Sequence, residues 1–507
     1  MFLGLWVKHI LYLGVFLASS TKASVAHSLS IYSDRVCCHL RERVQLHALS
    51  RKPQYIVRRS SSMMAWNFVT GGRSGSSSWM VQMERMLMNA NPETEMARWN
   101  KPSIYRVPEW LKNMTNRDAY RPQLVSLGPF HHGEPDLLPM EEHKRRAVAH
   151  VAMRSRRPLR EFVAAVEEVA DKLMDAYDNL DEKWRGARRG QFVEMMVVDG
   201  CFLLEMVKGV SRGEAPRDYA PNDPVFSKHG MIYLWGGIQA DMLAIENQLP
   251  LLALYTIEQI WHDTTPLSEK DVNKLVLDFT WQPVNKDKRE GVVQDILSLH
   301  ALDIYHKNLC GLISPAPEGS GRHIYEESMR CAVELKEKGV HFKKCDSTHA
   351  IDFKNGVLSL PEVSVGDGNE KIFLNLMAFE QLHSGMRSDA TAYLIFMDNI
   401  IDSERDVALL RSKGIIKHSL SSDRETANLF NILSKGGAVM SPHSRLHDVR
   451  RKVNDHCRKP WNKWMAIFRH TYASNPWVLI SLVAAIILLL STILQTIYSV
   501  VQFYTKS

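Results

Sequence analysis

Phe192-Val193-Glu194-Met195-Met196-Val197-Val198-Asp199-Gly200-Cys201-Phe202-Leu203-Leu204-Glu205, running on to Lys208, is patterned as a helix. Glu141 to Ala152 and Leu159 to Trp184 read the same way. Ser422-Asp423-Arg424-Glu425 has the spacing of a capping box ahead of Leu429, Phe430, Ile432 and Leu433. Asp406 to Lys413 reads as a helix stopped by Gly414, a residue suited to the left-handed position after a last turn. The expected fold class is therefore mainly α, a large helical body. One β element interrupts it, a small hairpin over about 351–360. Ile351-Asp352-Phe353-Lys354 alternates, Asn355-Gly356 supplies a type I′ turn, and Val357-Leu358-Ser359-Leu360 returns. Val340 to Phe342, after Gly339, is expected to add a strand. Neither an internal repeat nor a long heptad run is present.

The end of the chain adds one transmembrane helix. Trp477 to Val501 is uncharged and largely apolar, and as a helix it would span ~37 Å, enough for a ~30 Å hydrocarbon core. Ser474 and Asn475 suit its cap and Pro476 its first turn, with Tyr472, Trp477, Tyr498 and Tyr504 placed as aromatic belts. Between Arg445 and Arg469 lie eight basic residues against Asp448 and Asp455, and only Lys506 is charged beyond the helix. The positive-inside rule puts the body in the cytosol at a plasma or endomembrane, a single-pass tail anchor with the bilayer held through 477–501. Attraction of the basic flank to anionic lipid is compatible with this.

The start of the chain is ambiguous. Lys8 and His9, the apolar Ile10 to Ala18 and the small residues Ser24-Val25-Ala26 have the look of a secretory signal. The acid-poor, Arg- and Ser-rich stretch to Arg73 also suits a transit peptide, and Met63-Met64 offers a start that would leave residues 1–63 a spurious or disordered extension. Residues 64–103 read as a flexible lead-in, with the helical domain expected over 104–470. A working secretory signal would place the body outside the cytosol, as an extracellular or lumenal recognition protein, with Asn113-Met114-Thr115 as its glycosylation sequon.

Charge and cysteine content exclude several classes. Residues 1–83 hold ten Lys/Arg against Asp34 and Glu42, a charge of +8, so with +7 overall the other 424 residues carry −1. The body is balanced, and no nucleic-acid partner is expected. Seven cysteines, odd in number and never spaced C-x-x-C, argue against a disulfide framework or a zinc ribbon.

Four stretches carry a resemblance. They are Ile104-Tyr105-Arg106-Val107-Pro108 with Tyr120 to Gly133 and Met140 to Arg145; Phe192 to Glu205; Asp241-Met242-Leu243-Ala244-Ile245-Glu246-Asn247-Gln248-Leu249-Pro250; and Phe396-Met397-Asp398-Asn399, Asp406 to Ile415 and Ser474 to Trp477. In this order, from about Ile104 to Val501, they resemble the plant family catalogued as domain of unknown function 247. The resemblance implies a plant membrane protein with one C-terminal helix and no assigned catalytic activity. Some grass members are linked to self-incompatibility loci, which implies recognition.

The same motifs hold candidate ligand and polar residues. His131, His132, Glu141, Glu142 and His143 offer imidazole and carboxylate ligands for zinc or iron, but three consecutive residues face different sides of a helix, unlike H-E-x-x-H. Asp398, Asp402, Glu404 and Asp406 fail the EF-hand pattern, with Ile400, Ser403 and Leu409 at positions that need oxygen, Gly and Glu, so a helix start is expected there. Asp241, Glu246, Asn247 and Gln248 are expected to form an internal polar network. Lys144 to Arg160 is basic but is balanced by the acids of Glu161 to Asp181. No Walker loop, nucleophile elbow or kinase signature occurs, so no catalytic, cofactor-binding or metal residue and no cofactor is assigned. The expected function is recognition or scaffolding through protein partners at a membrane, with an enzyme near His131, His132 and His143 as the alternative.

Overall fold

The structure is a computed structural model, and it describes residues 78–89, 91–212, 218–261, 266–281, 293–311, 329–345, 351–366, 368–384, 386, 388–433, 444–459 and 476–505. The readings of the first 63 residues, of Tyr472 and of the Ser474-Asn475 cap lie outside the described residues. The chain divides into a unit ending at Arg85, described only where α1 (Ser78–Asn89) begins, and a unit from Met86 onward, to which everything below belongs. The architecture is mainly α, with a few short strands and one C-terminal apolar helix.

The opening motif is the hub of a first core. Helix α7 (Arg189–Arg212) is buried almost without interruption from Phe192 to Gly209, with Glu194 the exposed exception. Around it pack α4 (Leu138–Ser155), α5 (Leu159–Asp175), α9 (Leu251–Trp261) and α10 (Glu269–Thr280). A helix buried on nearly all sides must be surrounded, and these four neighbours do that. Gly200 permits the close approach of α9, since a Cβ there would lie 2.3 Å from Ile257 Cδ1.

Leu159 to Trp184 is not one helix. α5 stops at Asp175 because the Ala176 carbonyl accepts the amides of Ser103 and Ile104 at 2.9 and 3.0 Å, leaving it no role in a further turn. Asp178 N–H returns to the Ile104 carbonyl at 2.9 Å, and Asn179 takes φ 48°. Asp181 then caps the single turn α6 (Glu182–Arg185). A long-range bridge thus outcompetes a local helical pattern.

Between these elements lie α2 (Pro92–Trp99), α3 (Glu109–Met114) and α8 (Lys228–Met242). The chain continues through α11 (Ala301–Gly311) and α12 (Ala332–Glu337) into strands β1 (His341–Cys345), β2 (Asp352–Lys354), β3 (Val357–Pro361) and β4 (Val363–Val365). It closes with α13 (Asn369–Leu382), α14 (Asp389–Ile400), α15 (Glu404–Ser412), β5 (Ile416–His418), α16 (Asp423–Leu433), α17 (Arg445–Arg458) and α18 (Pro476–Thr505). Phe373, Leu376, Phe379, Phe396, Val407 and Phe430 lie in a second core built by these later elements.

The hairpin forms as its turn requires, with Asn355 at φ 50° and Gly356 at φ 78° and Lys354 opposite Val357. β1 lies parallel to β3 on its other edge, and β4 pairs in parallel with β5. Gly414, at φ 68°, ends α15 in a Schellman motif: Ile415 N–H bonds the Leu410 carbonyl and Gly414 N–H that of Arg411.

Candidate functional site

A polar seam joins the two cores. From the end of α8 to the start of α9 the chain contributes Leu243 and Ile245 to the second core and Met242, Leu249 and Leu251 to the first. Such a segment has no ladder for its neighbours' amides, so side chains supply the bonds. Asp241 Oδ1 accepts Gln123 N–H at 2.9 Å, and Oδ2 accepts those of Leu124 and Val125 at 2.7 and 3.0 Å. Burial pushes this carboxyl up, although the three amides favour its ionised form. Asn247 Oδ1 accepts Leu127 N–H at 2.7 Å, while its Nδ2 donates to the carbonyls of Val125 and Asp241. Gln248 Nε2 donates to Met242 and Ala244, and its Oε1 accepts Leu302 N–H at 3.1 Å. From the second core, Asn375 Oδ1 accepts Ile245 N–H and its Nδ2 donates to Ala119.

Glu246 completes the seam. Its Oε1 accepts Val107 N–H at 2.6 Å and pairs with Lys112 Nζ at 2.7 Å. Burial pushes the carboxyl up, but His131, Lys112 and the Val107 amide outweigh it and leave it below the usual range.

A second buried knot centres on Lys144, which is 0% exposed. Its ammonium meets Asp199 Oδ1 at 2.7 Å, Glu141 Oε1 at 2.5 Å and Ser126 Oγ at 3.3 Å. Asp199 Oδ2 accepts Gly128 N–H at 2.8 Å. Burial opposes the charge on Lys144, yet the two carboxylates hold its proton. Gly128 sits at φ 69°, where a Cβ would lie 2.5 Å from Tyr177 Oη and 2.9 Å from the Gln248 carbonyl.

These contacts disperse the histidines picked from the sequence. His131 is buried, with Nδ1 2.6 Å from Glu134 Oε1 and Nε2 3.5 Å from Glu246 Oε2. His132 is exposed and meets Trp184 edge-on. His143 Nδ1 faces the Arg146 guanidinium at 2.9 Å. Glu141 is committed to Lys144 and Ser126, and Glu142 is exposed. Among the described residues the three histidines share no partner, so the structure does not assemble His131, His132 and His143 into one site. The acidic stretch is a helix start: Asp406 forms a capping box with Ser403 and also accepts Val333 N–H at 2.8 Å.

Ligand-type side chains converge elsewhere. His306, Cys310 and Glu380 bring their donor atoms within 4.8 Å of one another. His306 and Cys310 lie four apart on one face of α11, and Glu380 comes from α13, which packs against it. His306 Nε2 is 2.6 Å from Glu380 Oε1 and 3.3 Å from Cys310 Sγ. Glu380 also caps α14, accepting the amides of Ala390 and Thr391 at 2.8 Å each and the Thr391 hydroxyl at 2.5 Å. The i, i+4 pair was visible in the sequence; its carboxylate partner, 70 residues from Cys310, was not.

Architecture alone defines a class: an α-rich body followed by a single apolar helix, of which Val483–Gln502 is long and apolar enough to cross a membrane. The chain belongs to the plant family DUF247, described as "plant protein of unknown function", whose profile matches residues 104–491. It is 28% identical over 427 residues to a UPF0481 protein of Arabidopsis thaliana, covering 79% of this chain and 86% of that one. A second Arabidopsis UPF0481 protein is 22% identical over 516 residues, covering 82% of this chain and 93% of the relative. No solved structure matches the chain.

Proposed function

We propose that the chain is a membrane-anchored recognition or scaffold protein, its body held in the cytosol at a bilayer and acting through protein partners. The observation that carries this is α18. Over thirty residues it has no charge, and Ile480, Ile487, Leu488, Leu489, Leu490 and Leu494 are all exposed. An apolar surface of that extent calls for lipid rather than water. The basic flank between Arg445 and Arg469 favours the body on the cytosolic side. Holding a body at a surface raises its effective concentration for partners held there, which suits signalling without chemistry. On the body itself, α8 carries no charge between Lys228 and Asp241, and its Ile232 and Tyr233 are 68% and 71% exposed, an apolar face suited to a protein partner.

Protease treatment of sealed membrane vesicles, combined with mass spectrometry of the mature N-terminus, tests the reading. The expected result is a protein resistant to carbonate extraction whose body is digested and whose Asn113 carries no glycan. Asn113 is exposed, so a lumenal body would present its sequon. A protected, glycosylated body with cleavage near Ala26 would overturn the topology.

A further inference from the structure

We propose that His306, Cys310 and Glu380 bind a divalent transition ion of zinc-like preference. The argument starts from one nitrogen. An imidazole Nε2 has a single in-plane bonding direction, occupied by either a proton or a lone pair. Glu380 Oε1, at 2.6 Å, and Cys310 Sγ, at 3.3 Å, both converge on that nitrogen. One proton cannot serve both. A cation among the three takes one lone pair from each and removes the conflict.

The donor set selects the ion. Imidazole nitrogen, thiolate sulfur and carboxylate oxygen are together the ligands of zinc, whereas a thiolate disfavours magnesium and calcium. Thiolate and carboxylate balance a 2+ charge, which matters because His306 and Glu380 are 4% and 6% exposed. Binding releases the thiol proton to solvent. Three protein ligands leave one tetrahedral position for water.

The surroundings hold the ligands ready. The amides of Ala390 and Thr391 and the Thr391 hydroxyl fix the orientation of the Glu380 side chain. His306 Nδ1 has no partner among the described residues, so its tautomer follows whatever Nε2 binds. Bond lengths of about 2.0–2.3 Å to a tetrahedral ion set the nitrogen about 3.3 Å from the oxygen and about 3.6 Å from the sulfur. From 2.6 and 3.3 Å, the cluster must therefore open by about 0.7 Å between nitrogen and oxygen and by about 0.3 Å between nitrogen and sulfur, movements within reach of side-chain torsions.

The test uses the full-length chain purified in detergent, stripped with a chelator and titrated with Zn²⁺ or Co²⁺ alone. The expected result is one equivalent of zinc per chain, retained against millimolar Mg²⁺. Cobalt should give the near-ultraviolet absorption of a thiolate-bound ion. Cys310→Ser should abolish that absorption and weaken zinc binding at least tenfold, with an unchanged far-ultraviolet circular dichroism spectrum, while Cys345→Ser leaves both intact. A folded wild-type chain that binds no stoichiometric zinc overturns the proposal however the variants fold. So does a thiolate absorption that survives Cys310→Ser.

Discussion

Acid should loosen this protein through His300, and the structure fixes both the sign and the size. His300 is fully buried just before α11, and its ring lies edge-on to Phe379 with centroids 4.9 Å apart. Its Nε2 donates to the Ser103 carbonyl at 3.0 Å, and its Nδ1 accepts Asp303 N–H at 3.2 Å. The neutral Nε2–H tautomer satisfies both bonds; a proton on Nδ1 would face another N–H. Burial pulls its pKa from 6.5 to about 4, with Asp303 pulling upward and His383 and Lys307 adding to the fall. Because the folded value lies below the unfolded one, the unfolded chain takes the proton first. The contribution is therefore complete above pH 6.5 and is lost as pH falls through 4. At about 1.4 kcal/mol per unit, it amounts to about 3 kcal/mol in full, of which about 2 kcal/mol goes between pH 7 and 4.5.

The assay is denaturant unfolding of the full-length chain in detergent, followed by tryptophan fluorescence from pH 7.5 to 4.5 and compared with His300→Gln. Glutamine keeps an amide donor for Ser103 but does not titrate, so every other acid-sensitive group cancels between the two proteins. The variant should start less stable and lose less on acidification, the two curves converging by about 2 kcal/mol. Parallel curves would refute the argument.

Three further substitutions probe the buried polar groups, each read as a shift in the unfolding midpoint. Asp241→Ala strands three backbone amides, that of Val125 buried and those of Gln123 and Leu124 partly so, and should cost about 2–4 kcal/mol, far more than an exposed control such as Asp136→Ala. Lys144→Met leaves Asp199 and Glu141 as unpaired carboxylates and should cost about 3–5 kcal/mol, with part recovered in Lys144→Met/Asp199→Leu; no recovery would contradict the pairing. Gly128→Ala places a methyl group against Tyr177 Oη and the Gln248 carbonyl at φ 69°, so a loss of at least about 2 kcal/mol is expected.

What the sequence discloses here divides by range. Asn355-Gly356 and Gly414 are legible because a positive φ is a local demand that few residues meet. The hub helix is legible because its apolar pattern is continuous. Ala176 is not, since the amides that end its helix come from Ser103 and Ile104. β4 and β5 escape for the same reason: three-residue strands carry no periodic signal, and their pairing spans Val363 to His418. In the seam, the polar residues of Asp241 to Gln248 stand out among leucines, but their partners at Gln123 to Leu127 do not. His131, His132 and His143 are close in the chain and so stand out in the sequence, whereas the convergence of His306, Cys310 and Glu380 depends on how α11 meets α13.

Satisfaction of polar atoms then separates scaffold from candidate site. In the seam, Asp241, Asn247 and Gln248 match donor to acceptor: three amides on two carboxylate oxygens, and each carboxamide both donating and accepting. A ligand brought there would have to break bonds already made, so the seam's energy lies in holding two cores in one register. At His306 the accounting differs, because carboxylate and thiol approach one nitrogen that can bond to one of them. A cation placed there adds interactions without removing any from the backbone amides that hold Glu380. If the body is built for recognition, its seam is the rigid part and the α11–α13 contact is where an added ion would change the free energy.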